Sequence, residues 1–179
     1  MKKLLSLTLG LLALGALALS GGPAHAATTT APGPYYATPS WDQTLPAATR
    51  FIVLSNFNIA AVLDRETGLV WEQAPDGTNT HTWVNAQFHC NNLALVGRKG
   101  WRLPTIAELA SLVDTSQSNP ALPSGHPFTN VQSSYYWSAS TFAGIASEAW
   151  RARLSDGVVD ADDASLTQFA WCVRGGQGG

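Results

Sequence analysis

Lysine is nearly missing from this chain. Its 179 residues include only Lys2, Lys3 and Lys99, and charged side chains make up 12% of the whole. Ten Lys and Arg stand against twelve Asp and Glu, for a formal charge of −2. A chain this acidic and lysine-poor lacks the basic field that nucleic acid or anionic lipid requires, so neither is expected as a partner. After Leu19 there is no second long apolar run, which excludes membrane insertion of the remaining chain. Motifs of catalysis are missing too: no G-x-S-x-G elbow, no P-loop and no H-E-x-x-H. The D-x-D-x-D-G spacing of an EF-hand loop is absent, and no internal repeat occurs.

What is present begins with an export signal. Met1-Lys2-Lys3 is a short basic start, and Leu4 to Leu19 is apolar and uncharged. Gly21, Gly22 and Pro23 break the run, and Ala24-His25-Ala26 supplies small residues around a cleavage point. This order reads as a secretory signal peptide over residues 1–26, and places the protein outside the cytoplasm, in a periplasm or fully secreted. No cysteine stands directly after the apolar run, so a lipid anchor is not expected. Loss of Lys2 and Lys3 leaves eight cationic residues against twelve carboxylates, near −4. Residues 27–49, rich in Thr, Ala, Pro and Gly with Tyr35, Tyr36 and Trp41 interspersed, read as a linker or loosely packed arm. One domain is expected over 50–176, followed by a flexible tail at 177–179.

Cysteine is as scarce as lysine. Cys90 and Cys172 are the only two, and both lie in the exported part. In an oxidising compartment an isolated pair is most economically one disulfide, and the alternative is two buried free thiols. A bridge closing about 83 residues is worth about 4–5 kcal/mol in the chain-entropy model.

Between these landmarks the elements alternate. Phe51–Leu54 and Ala60–Leu63 are β-prone, Asp64–Gly68 is a polar turn, and Leu69–Trp71 resumes strand character. Trp83, Ala86, Cys90 and Leu93 form one helical stripe behind Thr82 as N-cap, so Cys90 faces the core. Trp101–Pro104 is extended, and Thr105 with Glu108 fits a capping box opening a short helix to about Val113. Residues 114–134 form a long Ser-, Asn-, Pro- and Gly-rich loop, of the kind that is functional or mobile. Tyr135–Ala139 is a strand, and Trp150, Ala152 and Leu154 alternate with Arg151 and Arg153 on a wet face. Asp156-Gly157 marks a hairpin turn, and Phe169, Trp171 and Val173 alternate with Ala170, Cys172 and Arg174 in a final strand. Strands, two helices, a long loop and more strands make an α+β domain.

Few residues suggest chemistry. A cysteine nucleophile needs a free thiol, which the disulfide would consume. His81 and His89 are eight apart and do not share a helical face, so they read as ordinary hydrogen-bonding histidines. Asp156, Asp160, Asp162 and Asp163 form the one acidic cluster. It is a candidate calcium site, a candidate carboxylate pair for a secreted hydrolase, or a solvated edge that discourages strand pairing. Seven Trp are read first as core. Among them Trp137, beside Tyr135 and next to the long loop, is the candidate for partial exposure and for stacking on a sugar ring.

Thr67-Gly68-Leu69-Val70-Trp71, Trp83 through Cys90, Trp101-Arg102-Leu103-Pro104-Thr105 with Glu108-Leu109, Tyr135-Tyr136-Trp137-Ser138 and Cys172-Val173-Arg174-Gly175 occur in that order. As an ordered set they resemble the Lcl C-terminal domain family, named for a bacterial collagen-like adhesin. The resemblance implies a C-type-lectin-like fold: a small mixed or antiparallel sheet, two flanking helices, a long loop region, and a disulfide from first helix to last strand. It also implies an adhesin-like activity, the best-known member resembling a binder of sulfated glycosaminoglycans. This chain departs from that pattern in having no collagen-like Gly-x-y tract to drive trimerisation and an acidic rather than basic balance. It also lacks the acid-amide-proline triplet of calcium-dependent lectins, and a second cysteine pair for the chemistry of sulfatase-activating relatives.

The sequence therefore predicts a non-enzymatic extracytoplasmic recognition domain for a glycan or a cell-surface protein, with no cofactor unless calcium. Its expected ligand surface combines the 114–134 loop, Tyr135, Trp137, Arg151 and Arg153. The alternatives are a hydrolase using Asp156–Asp163 and a structural envelope interaction module.

Overall fold

The computed structural model describes residues 30–31 and 45–175. The expected signal segment and the tail at 177–179 lie outside the described residues. In chain order the elements are β1 (Thr30–Ala31), α1 (Ala47–Arg50), β2 (Phe51–Leu54), β3 (Ala61–Asp64), β4 (Leu69–Glu72) and α2 (Trp83–Asn92). They continue with β5 (Trp101–Arg102), α3 (Ile106–Ala110), β6 (Tyr135–Thr141), β7 (Glu148–Arg153), β8 (Val159–Asp163) and β9 (Val173–Arg174). A six-stranded sheet runs β1-β2-β3-β4-β9-β5, and a three-stranded sheet runs β6-β7-β8. Every pairing is antiparallel except β1 with β2. The architecture is α+β, as the alternation of patterns predicts. Thr30 and Ala31 pair with Val53 and Leu54, so this part of the expected arm is docked on the domain.

Both faces of the larger sheet are buried, because successive strand residues point to opposite sides. Phe51, Val53, Val62, Trp71, Trp171 and Val173 face one core with Leu109 and Leu112 near α3. Ile52, Leu54, Leu63, Ala170 and Cys172 face the other, with Ala86 and Cys90 of α2 and with Trp101. The final strand was expected to alternate Phe169, Trp171 and Val173 with Ala170, Cys172 and Arg174. It lies between β4 and β5 with a core on each side, so Ala170, Trp171, Cys172 and Val173 are all within 1% of full burial.

Cys90 and Cys172 are joined, with a Cα–Cα distance of 5.3 Å. The bridge ties α2 to the chain just before β9, and no free cysteine remains among the described residues. The α2 stripe is inward-facing as predicted at Ala86 and Cys90, while Trp83 and Leu93 at its ends are half-buried. Thr82 caps it through the Asn85 N–H.

The Trp101–Leu109 motif is explained by packing and capping. Trp101, Leu103 and Leu109 are buried. Thr105 Oγ1 accepts from the Glu108 N–H, and Glu108 returns a carboxylate oxygen to the Thr105 N–H at 2.8 Å. Arg102 grips the same carboxylate with two bonds, at 2.7 and 2.6 Å, and also donates to the Gly175 carbonyl. Burial opposes the charge on Glu108, but Arg102 and the Thr105 N–H outweigh it and hold the carboxyl below its ordinary range. The helix opened by this cap spans five residues; turns carry the chain on through Leu112, short of Val113.

A second ion cluster fixes the other end of the sheet. Arg50, Asp64 and Glu66 are all buried. Arg50 holds Asp64 through Nε at 2.9 Å and Nη2 at 2.7 Å, and Nη2 also donates to the Ser111 carbonyl. Its Nη1 lies 3.4 Å from Glu66. Buried charges persist only when paired and hydrogen-bonded in this way.

The loop over 114–134 is packed against the core. Ala121, Leu122 and Phe128 are buried, and the Ala121 N–H donates to the Leu154 carbonyl. At the β7–β8 hairpin Gly157 has φ +83°, and a Cβ there would lie 2.5 Å from Val113 Cγ1. Glycine is needed for both reasons.

Candidate functional site

The expected ligand surface divides between the interior and a neutralised sheet face. Tyr135, Arg151 and Arg153 lie on one face of the smaller sheet, with Tyr135 opposite Arg153 and Trp137 opposite Arg151. Along this face exposure falls from 35% at the Arg153 side chain to 12% at Arg151 and zero at Trp137. Trp137 is therefore not a stacking platform, which corrects the expectation. Its end of the strand passes under the core on the α2 side, and its indole N–H donates to the His81 carbonyl at 3.0 Å. The long loop packs into the opposite core, so loop and Trp137 do not meet on a common surface.

Arg151 and Arg153 are occupied as well. Arg151 lies 3.7 Å over the Tyr135 ring and pairs with Asp160 at 2.8 Å and with Asp162. Arg153 takes Asp156 with two bonds, at 2.8 and 2.6 Å, and that partnership pushes Asp156 below its ordinary carboxyl range. Asp163 accepts from the Ser165 N–H in the turn after β8. The four aspartates thus do not converge: Asp160 and Asp162 answer Arg151 across the sheet, Asp156 answers Arg153 within the hairpin turn, and Asp163 stabilises the turn after β8. Among the described residues no group of three or more His, Cys, Asp or Glu is placed to hold a metal ion. A cation at Asp156, Asp160 and Asp162 would have to displace Arg151 and Arg153 from their carboxylates.

Glu72 is the titrating group that sequence reasoning missed. It ends β4 on the α2 side, 5% exposed, and one carboxylate oxygen accepts from the Cys172 N–H at 2.8 Å. Burial pushes its pKa up to about 7 against the opposing pull of that N–H, and Asp76 adds to the rise. A carboxyl tuned near neutrality is a catalytic candidate where it meets solvent and substrate. Here it is enclosed, and its backbone carbonyl receives the Trp171 indole N–H. Only the partial alternation of β4 signals it in the sequence.

The open feature lies on the outer face of α2. Val84 and Phe88 are 51% and 61% exposed, one turn apart and off the buried stripe. Phe88 lines a shallow, open groove with Asn85, Asn92, His81 and His89. His81 reaches it from outside the helix, held by reciprocal backbone bonds with Gln168 at 2.8 and 2.9 Å. That pairing brings the His81 ring over His89, stacked at 4.7 Å and 30°, a contact the eight-residue spacing did not predict. Burial, and then His81, lowers the pKa of His89, so the imidazole is neutral at pH 7; Asp76 pulls weakly the other way. Signals for Phe88 and Val84 were present in the sequence, as apolar residues off the helix's inward stripe.

These features define a small disulfide-closed α+β domain whose polar chemistry serves mainly to hold strands and helix ends together. The model of the Lcl C-terminal domain matches residues 60–174, and the chain belongs to that family. The family is in general a non-catalytic, adhesin-type domain, and together with the disulfide it points to an extracellular setting. A comparison with curated proteins finds no match.

Proposed function

We propose that this chain is an extracytoplasmic recognition domain of C-type-lectin-like architecture. It holds a glycan or cell-surface partner without transforming it. The α2 groove carries this reading: it is a shallow, open surface presenting an exposed aromatic residue, side-chain amides and imidazoles. Sites that bind small ligands combine an apolar surface with a few placed polar groups in this way. The hydrolase alternative is disfavoured by Asp156, Asp160 and Asp162, whose arginine partners leave no unpaired acid and base. Export and adhesin-like use accord with the signal-type N-terminus and the disulfide.

The test is adhesion of the labelled chain to intact cells and to extracellular matrix. Saturable binding is expected, removed by glycosidase treatment for a glycan partner and by protease for a protein one. Absence of saturable binding to either surface, or release of a cleaved product, overturns the reading.

A further inference from the structure

Helix α2 presents four groove residues along one outer edge. Asn85, Phe88, His89 and Asn92 follow at steps of three, one and three, placing them as neighbours on the helix surface. Their shared groove has a definite chemistry.

We infer that the α2 groove is a saccharide subsite selective for an uncharged sugar, with Phe88 as its stacking platform. The inference rests on the recognition reading above and specifies its ligand. Phe88 offers an exposed ring face, which suits the apolar C–H face of a pyranose. Asn85 and Asn92 flank it, and each amide carries both a donor and an acceptor. Asn92 Nδ2 donates to the Phe88 carbonyl at 2.8 Å, which fixes the amide and leaves Oδ1 as an acceptor for a ligand hydroxyl.

Charge sets the selectivity. No Lys, Arg, Asp or Glu lines the groove. The flanking His89 is held neutral at pH 7 by burial and by the His81 ring, with Asp76 as the nearby carboxylate acting on it. A sulfated or carboxylated polymer would leave its charge unanswered here, and the arginines of the small sheet are already paired with aspartates. Size favours a sugar over a protein. The depression is shallow and open, room for one sugar lying along the helix, whereas a stable protein interface takes about 800 Å² from each partner. The exposed Val84 and Phe88, with Leu93 and Ala94 at the end of the groove, make a small apolar patch for that.

The experiment is a set of NMR titrations on wild type, Phe88→Ala and Arg153→Gln. The probes are neutral oligosaccharides of N-acetylglucosamine, galactose and mannose, and heparin. The expected result is binding of a neutral oligosaccharide with shifts at Asn85 and Asn92. Phe88→Ala should weaken it about tenfold or more with the unfolding midpoint unchanged, as for a central aromatic anchor. Arg153→Gln should leave it unaltered. Neutral-sugar binding indifferent to Phe88→Ala overturns the site while leaving the recognition reading intact. Heparin binding lost in Arg153→Gln overturns the charge assignment and moves recognition to the small sheet. Failure of every saccharide ends the inference, and the recognition reading then depends on protease-sensitive adhesion to cells.

Discussion

Replacing Glu72 by Gln should make the protein more stable at pH 8 and slightly less stable, by about 1 kcal/mol, at pH 4. The folded carboxyl titrates at about 7 against an ordinary 4.5. Its folded pKa is raised, so its contribution is fully present below pH 4.5 and is lost as pH rises through about 7. Between those limits the unfolded chain has released a proton that the folded chain keeps. Stability then falls by about 1.4 kcal/mol per pH unit, or about 3 kcal/mol across the window. Gln keeps an oxygen for the Cys172 N–H and has no charge to bury. Its buried N–H₂ costs about 1 kcal/mol if it finds no partner, which leaves a net gain of about 2 kcal/mol at pH 8. Urea unfolding of both proteins from pH 4 to 8 reads the difference directly, because the other titrating groups are common to both. A wild-type-minus-variant difference that stays flat across this range would refute the reasoning.

Three further outcomes follow from the packing. Serine at both Cys90 and Cys172 should cost about 4–5 kcal/mol for a link spanning 82 positions, seen as a large drop in the urea midpoint with oxidised wild type as reference. Arg50→Ala strands the buried Asp64 and Glu66 carboxylates. A loss of about 3–5 kcal/mol is expected by chemical denaturation, and a loss under 1 kcal/mol would mean the cluster is wetter than its burial indicates. Glu108→Ala removes the Arg102 clamp and half of the capping box together, so it should destabilise more than Thr105→Ala, whose cost is about 1 kcal/mol.

What was legible in the sequence was mostly local. Thr82, and Thr105 with Glu108, announce their caps because the bonds join residues three apart. Cys90 was placed inward by the 3-4-3 stripe, and Cys172 was reachable from the compartment argument. The functional surface was not local, and there the sequence misled. Trp137 sits in a strand beside a loop, and nothing in the pattern distinguishes an exposed end of a sheet face from a covered one. The answer depends on α2 and His81 lying over it. Arg151, Arg153 and the four aspartates were read separately, as ligand groups and as a metal cluster. Cross-strand register set Arg151 opposite Asp160, which turns two candidate sites into one neutralised ladder. The His81–His89 stack likewise depends on Gln168, far along the chain.

Calorimetric titration of the chain with a neutral oligosaccharide tests the central claim, recognition without turnover, most directly. The account predicts heats that saturate with ligand, return to baseline after each injection, and leave the oligosaccharide intact. A sustained thermal power that persists until the sugar is consumed would contradict it.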